Sequence, residues 1–594
     1  MKLLFYDFEV FKYDWCVVII DYNTRKKKII INDRDELINF YNKTKDNYIY
    51  VGFNSRSYDS VILKAIVLGL DPKEVNDKLI SEGLKGFQIH KDLYKVPLYS
   101  YDTMVNRGNS LKQLEGFMGH MIKESDVDFN IDRKLTKKEM DETIYYCIHD
   151  VEETIEVFEN TKSDFDAQLS LIKEFDLPLG YVGKTKAQLT AEILGAEKLH
   201  GTSEEEMEYE FVNCLKLNKY KFVQDWFDKN RFLTYINEKG VTKKNGLKVD
   251  IGGIPTIYGW GGIHGCINKY TTDNSDGSVI VHSDVGSMYP NIMVQHNLLS
   301  RAIKEPSKYK DILEKRLELK HSGKKKEQAP FKVVLNGAFG VTIDKFSKMC
   351  DLKRGKEIPI NGQLLLTDLI EQLELHLKNN ISFIQFNTDA VICKLRSKDY
   401  IDEYLKVCKE WENRTKLQLE HDWIRTITQA NVNNYVFAFT DGSLECKGAY
   451  LQKNTPLNND MSILNDAVRD YLVNKTPIEK TINECDELIK FQHINKIGKT
   501  YYKVLWGDKE LNERVIRSFA CTKDLPGLFK VKKNINKEGI EVDSIQKVAN
   551  NSEHIFIDNE DITNKKCPDY LDKQWYIDEA IKRLGSFGIK YKQN

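Results

Sequence analysis

Two apolar runs in this chain end on carboxylates, and that pairing constrains the fold more than any other feature. In VIVHSDVGSMYP, residues 279–290, Val279, Ile280 and Val281 read as a buried strand that runs into Asp284. In LLFYDFEVF, near the N-terminus, Asp7 and Glu9 sit two apart, and alternate strand residues share a face. Carboxylates side by side repel, and a buried charge is costly unless it is paired. The question is why carboxylates stand at the ends of such apolar runs.

The 594 residues are enough for several domains, each with its own core. A composition 41% hydrophobic and 30% charged, with 12 prolines, is that of a folded globular protein and too apolar for a disordered one. No apolar run reaches the roughly 18 residues of a membrane span. The N-terminal MKLLFYDFEVFKYD meets acids too early for a signal peptide, so a cytoplasmic protein is expected. The 11 cysteines show no C-x-x-C spacing, which points away from a zinc site or a disulfide framework. A net charge of −1 leaves any attraction for phosphate to local patches. One such patch runs from Arg301 to Lys332, with eleven Lys and Arg against five Asp and Glu. GKT at 183–185 and 498–500 lacks the upstream glycine of a P-loop, since Pro178 and His493 stand there.

After the first strand, CVVIIDYNTRKKKIIIN reads as two more strands around a polar turn and YIYVGF as a fourth. NSRSYDS then places Asp59 at the entry to an apolar helix. KKEMDETIYYCIHDVEETIEVF has the helical period, with Tyr146 and Asp150 at i and i+4. Residues 166 to about 250 are mostly helical by period. Downstream, KYKDILEKRLELKHS is a helix with Arg316 and Lys320 on one face, and Pro330 is placed to open the next helix. In that second helix Lys332, Asn336 and Gly340 form one stripe. ISFIQFNTDAVICKL reads as a hairpin that turns at Asn387 and Thr388 and presents Asp389 at its tip.

D-x-E, N-x-x-x-Y-D and Y-x-x-x-D resemble, in this order, the three motifs of the tyrosine-containing DEDD exonucleases. DVGSMYP resembles D-x-x-S-L-Y-P, KVVLNGAFG resembles K-x-x-x-N-S-x-Y-G, and FNTDAV resembles Y-G-D-T-D-S. Six motifs in this order, from residue 7 to 389, resemble the pattern of family B DNA polymerases. The Lys-, Asn-, Ile- and Tyr-heavy composition suggests a phage member. Asn387 for Asp, Gly337 for Ser, Phe339 for Tyr and Ala390 for Ser depart from the pattern.

The resemblance implies an α/β multidomain chain. An RNase H-like exonuclease would span 1–165, connecting helices and a linker 166–275, palm 276–300 and 346–450, fingers 301–345 and thumb 451–594. It implies two magnesium ions per site, or manganese, held at one by Asp7, Glu9, Asp59 and Asp150 and at the other by Asp284, Asp389 and the Val285 carbonyl. Tyr146 would orient the attacking water. Arg316, Lys320, Lys332 and Asn336 would clamp the dNTP triphosphate, and Tyr289 would exclude a ribose 2′-hydroxyl. Asn54, Tyr258, Gly261 and Gly262 of IYGWGGIHG, and Lys447 and Tyr450 of LECKGAYL, would contact primer–template DNA. A monomer working beside a helicase and a single-strand binding protein is implied. Two alternatives stand: a 3′ to 5′ exonuclease with a degenerate polymerase half, and a protein-primed polymerase. Insertions between the polymerase motifs mark the latter, and the spacing here leaves little room for them.

Overall fold

The computed structural model describes residues 2–104, 108–125, 127–200, 208–231, 234–236, 242–535 and 539–592. The chain is mixed α/β and divides into two compact units. The first holds Met1–Thr185, Asn454–Ile463 and Ile482–Ile577; the second holds Lys186–Lys453, Leu464–Thr481 and Asp578–Asn594. No helix among the described residues is long and apolar enough to cross a membrane.

The first unit is built on a five-stranded sheet in the order Lys27–Ile31, Trp15–Asp21, Lys2–Val10, Tyr48–Gly52, Ser100–Asp102. The central Lys2–Val10 pairs antiparallel with Trp15–Asp21 and parallel with Tyr48–Gly52, which needs a crossover, supplied by the helix Arg34–Thr44. Being central, it is buried on both faces by Leu4, Tyr6 and Phe8 on one side and Phe5 on the other. The helices Asp59–Leu68 and Lys137–Glu174 carry the remaining acids. Thr136 and Glu139 cap the 38-residue second helix reciprocally, so its start is fixed by side chains.

The expectation of one C-terminal domain over 451–594 is replaced by a division. Residues 482–577 form two antiparallel sheets that belong to the first unit. Their anchor is Arg517, fully buried, whose guanidinium donates to Gln492 Oε1 at 2.9 Å and to the carbonyls of Asp558, Glu560, Gly116 and His120 at 2.6–3.2 Å. Such a fork satisfies every donor without a carboxylate, and it ties residues far apart in sequence.

The second unit holds a ten-stranded antiparallel sheet. Val279–Val285 lies between Leu419–Asn431 and Ala390–Leu395, and Ile381–Asn387 follows on the Ala390–Leu395 side. The helix Leu352–Leu377, almost wholly buried, packs with Ile401–Thr415, and Trp411 Nε1 donates to Leu365 O at 3.1 Å. Residues 166–250 are less helical than their period suggests. The helices there are short, Lys186–Ile193 and Lys221–Lys229. Between them, residues 210–220 form an irregular segment with turns along Leu352–Leu377, and side chains of that helix take up their amides. Glu210 N donates to Glu357, Val212 N to Asn361, Lys216 N to Asp368 and Tyr220 N to Glu371, at 2.6–2.9 Å. The 166–275 linker also contributes Leu247–Ile251, Ile254–Tyr258 and His264–Cys266 to the large sheet. Pro330 does not open its helix, which starts at Lys325 and places the proline in its second turn.

Candidate active sites

In the first unit, Asp7 and Glu9 lie on the central strand, Asp59 starts a helix and Asp150 lies on the 38-residue helix. The Phe8 amide, between the two strand acids, donates to Asp59 Oδ1 at 3.0 Å, which locks that carboxylate beside them. Cys147 Sγ, one turn before Asp150, lies 3.4 Å from Asp7 O and 3.6 Å from its Oδ2. Lys112 Nζ donates to Asp150 Oδ1 at 2.6 Å and sits 4.6 Å from the centre of the Tyr146 ring. It also pairs with the fully buried Glu115 at 3.0 Å.

Burial, then Asp59, Glu9 and Asp150, push the Asp7 carboxyl well above the usual range, and burial and Asp150 do the same to Glu9. Burial raises Asp59 to about 7, and Asp150 rises despite Lys112. The Tyr146 hydroxyl is also raised, by burial and then Asp150. Among the described residues, these four clustered carboxylates have one lysine beside them and are undercompensated, and their oxygens fit hard divalent cations. Asn54 is exposed in a left-handed conformation (φ 58°), and its loop is pinned by Asp102, which accepts from Asn54 N at 2.9 Å and Arg56 N at 3.0 Å.

In the second unit, Asp284 stands opposite Ala390 in register, and the Val285 amide donates to Asp389 O at 2.9 Å. The two carboxylates therefore flank one strand pair. Burial, then Asp389 and Glu420, raise Asp284 to about 7, against Lys320, and burial raises Asp389. They line a cavity of about 440 Å³ with His282, Tyr435, Glu445 and Lys447. Two repelling acids and an oxygen-only donor pair again fit a hard cation. Val285 itself is buried at the strand end, opposite Leu419.

The Asp389 turn is held from two sides. Thr388 adopts φ 59° and its amide donates to Ile263 O at 2.8 Å. Asn387 Nδ2 donates to Val432 O at 3.1 Å, a bond an ionised aspartate could not make. Gly262 presses on the turn so closely that a Cβ would lie 2.4 Å from Thr388 Oγ1 and 2.8 Å from its Cα. Gly265 is as close, since a Cβ there would lie 2.5 Å from Thr256 Oγ1, so these two glycines serve packing. The Gly259 amide is taken by Gln363 Oε1 at 3.1 Å, and Gly261 has open space around its Cα. Tyr258, expected to face DNA, is fully buried with its hydroxyl 2.8 Å from Thr367 Oγ1, because its strand sits inside the sheet.

Arg316 is buried, pairs with the Ser287 hydroxyl, and its Nε finds no hydrogen-bond partner among the described residues. Lys320 pairs with Glu420, the residue opposite Asp284. Lys332, Asn336 and Gly340 are exposed along one stripe, as their spacing requires. The Tyr289 ring lies 4.4 Å from that of Phe339, and Gly362 is packed so closely that a Cβ there would be 3.3 Å from Tyr289 Cε1. Burial raises the Tyr289 hydroxyl to about 12. Lys447 is exposed, 5.7 Å from the Tyr435 ring centre, and the half-exposed Tyr450 lies under the Arg583 guanidinium at 5.2 Å. The first residue of the basic patch is structural, since Arg301 forks onto buried Asp351 at 2.7 and 2.9 Å.

Sequence reasoning missed Lys112, Glu115, Cys147 and Asp102. Cys147 had a signal, one helical turn before Asp150 on the same helix. Lys112 had none, because only tertiary packing brings it to Asp150.

The chain matches no family model and no curated sequence. Among solved structures it is similar to the family B DNA polymerase from the hyperthermophilic archaeon Pyrobaculum calidifontis. The identity is 13%, the alignment covers 100% of this chain and 79% of that one, and the TM-score is 0.42.

Proposed function

We propose that the chain is a template-directed DNA polymerase that extends a primer 3′ end with dNTPs and trims it with a 3′ to 5′ exonuclease. The observation that carries this reading is the gathering of Asp284 and Asp389 beside one strand pair in the second unit, with a separate set of four acids in the first. Divalent magnesium at such acids would neutralise charge on phosphate oxygens in both reactions.

Asp284 and Asp389, with the Val285 carbonyl, would hold the cations of extension. Arg316, with an unsatisfied donor beside the strand end, would bind triphosphate with Lys320, Lys332 and Asn336. Tyr289, braced by Phe339 and the helix at Gly362, is a rigid wall suited to reject a ribose 2′-hydroxyl by shape. In the first unit Asp7, Glu9, Asp59 and Asp150 would hold the cations of trimming, Lys112 would orient Asp150, and Tyr146 would hold the attacking water. Lys447 and Tyr450 would meet the primer strand and Asn54 the frayed 3′ end. Asn387, the strongest argument for a degenerate polymerase half, has a structural job and so weakens that alternative. The composition points to phage replication as the setting.

Primer extension on an end-labelled primer–template in magnesium, with and without dNTPs, tests this. Extension with dNTPs and shortening without them are expected. Shortening with no extension under any condition refutes the polymerase assignment, and strict dependence on a terminal protein refutes ordinary priming.

A further inference from the structure

The helix Leu111–Met118 carries no motif, yet it delivers Lys112 to Asp150. Its start is set by Gln113 Oε1, which accepts from the Ser110 amide at 3.1 Å, and Leu114, Phe117 and Met118 bury its apolar side. Its C-terminal end is held by Arg517, which donates to the carbonyls of Gly116 and His120 at 3.2 and 2.6 Å. A Cβ on Gly116 would lie 2.9 Å from Ile494 Cδ1, so the helix is pressed against the strand His493–Lys496. Lys112 and Glu115, three apart, share one face of it. Glu115 is fully buried, and its Oε1 accepts from Lys112 Nζ at 3.0 Å. Its Oε2 has no hydrogen-bond partner among the described residues, and neither has His149 Nε2, 3.7 Å away. A buried carboxylate is costly unless it is paired, and this one lies outside the acids that the motifs supply.

The Lys112 ammonium bridges two carboxylates, Glu115 at 3.0 Å and Asp150 at 2.6 Å, and lies 4.6 Å from the centre of the Tyr146 ring. Beside Asp150 alone, it would cancel one of the charges that draw a divalent cation to the four acids. Glu115 returns that charge, so Lys112 can brace Asp150 and Tyr146 while the cluster keeps its pull on a cation. We propose that Glu115 is a positioning residue of the trimming centre, anchoring Lys112 so that Asp150 and the Tyr146 ring are fixed without loss of cation affinity. Groups that hold the holders of a metal set both its affinity and the geometry of the reaction. The inference rests on the exonuclease reading and adds to it a residue that no motif carries.

Manganese binding to the full-length chain is followed by titration calorimetry, and trimming of an end-labelled single strand is measured beside it. Asp7→Ala combined with Glu9→Ala supplies the baseline, so that the difference from wild type is the binding at the first cluster. Glu115→Gln is expected to weaken that binding about tenfold and to lower kcat for trimming by a similar factor, with KM for DNA unchanged. Lys112→Met combined with Glu115→Gln removes both charges together. Its manganese affinity should return close to that of wild type, while kcat stays low because nothing braces Asp150 and Tyr146. Glu115→Asp keeps the charge and loses reach, so it should retain manganese affinity and lose kcat several-fold. Unchanged affinity and kcat in Glu115→Gln overturn the inference. So does a double variant that binds manganese as weakly as Glu115→Gln, since Glu115 would then serve packing alone, and so does full activity in Glu115→Asp. A wild type that takes up no more manganese than the Asp7→Ala, Glu9→Ala chain and trims nothing would instead sink the exonuclease reading itself.

Discussion

Asn387→Asp restores the residue that the polymerase motif carries, and the structure predicts that it does harm. The amide donates to Val432 O at 3.1 Å and stands two residues from Asp389 in a two-residue turn. The aspartate has the same shape, but when ionised it offers no donor, so Val432 O loses its partner and a third carboxylate joins Asp284 and Asp389. A half-buried hydrogen bond lost with its acceptor stranded costs about 1–3 kcal/mol. At roughly 2–4 °C per kcal/mol, the melting transition of the second unit should fall by several degrees at pH 8. The sign with pH follows from the new carboxyl. Its folded pKa is raised by its acidic neighbours, and the protonated form can donate to Val432 O again, so the deficit should shrink below the folded pKa and grow as pH rises through it. Differential scanning calorimetry of both proteins at pH 5.5 and 8, paired with primer-extension rates, measures this. A variant at least as stable and active as wild type at pH 8 would refute the reasoning.

Asp59 and Asp284 both have folded pKa values raised to about 7 from an unfolded value near 4. In that window the native state binds more protons than the unfolded one, so metal-free protein should lose stability between about pH 4 and 7, by up to about 4 kcal/mol per group. Magnesium should restore it at pH 8, as thermal melts in EDTA and in magnesium would show. Gly262→Ala drives a Cβ against Thr388 Cα and should displace the Asp389 turn. Extension should fall at least tenfold while trimming by the first unit is unchanged, which parallel assays would reveal. Tyr289→Ala removes the wall braced by Phe339 and should raise ribonucleotide incorporation at least tenfold relative to dNTP, read from product ladders.

What was legible followed short-range rules. Strand alternation placed Asp7 and Glu9 together, helical spacing placed Tyr146 above Asp150, and turn residues put Asp389 at a hairpin tip. What was not legible depended on partners distant in sequence. Lys112 meets Asp150 across two helices, and Asn387 owes its identity to the carbonyl of Val432. Tyr258 reads as an exposed aromatic in a glycine-rich loop until its strand joins the large sheet and buries it. The irregular segment 210–220, within a stretch whose period reads as helical, gives its amides to acceptors on the helix Leu352–Leu377 in place of intrahelical bonds. The return of 482–577 to the first unit hangs on Arg517, whose five hydrogen bonds no local pattern announces.

The central claim is that two acid groups on two compact units run two different phosphoryl reactions. Labelled primer–template is incubated in magnesium, with and without dNTPs, with wild type, Asp389→Ala, and Asp7→Ala combined with Glu9→Ala. The account predicts a double dissociation, in which the first variant still trims but cannot extend and the second extends but cannot trim. Loss of both activities in either variant, or extension that survives in Asp389→Ala, would contradict it.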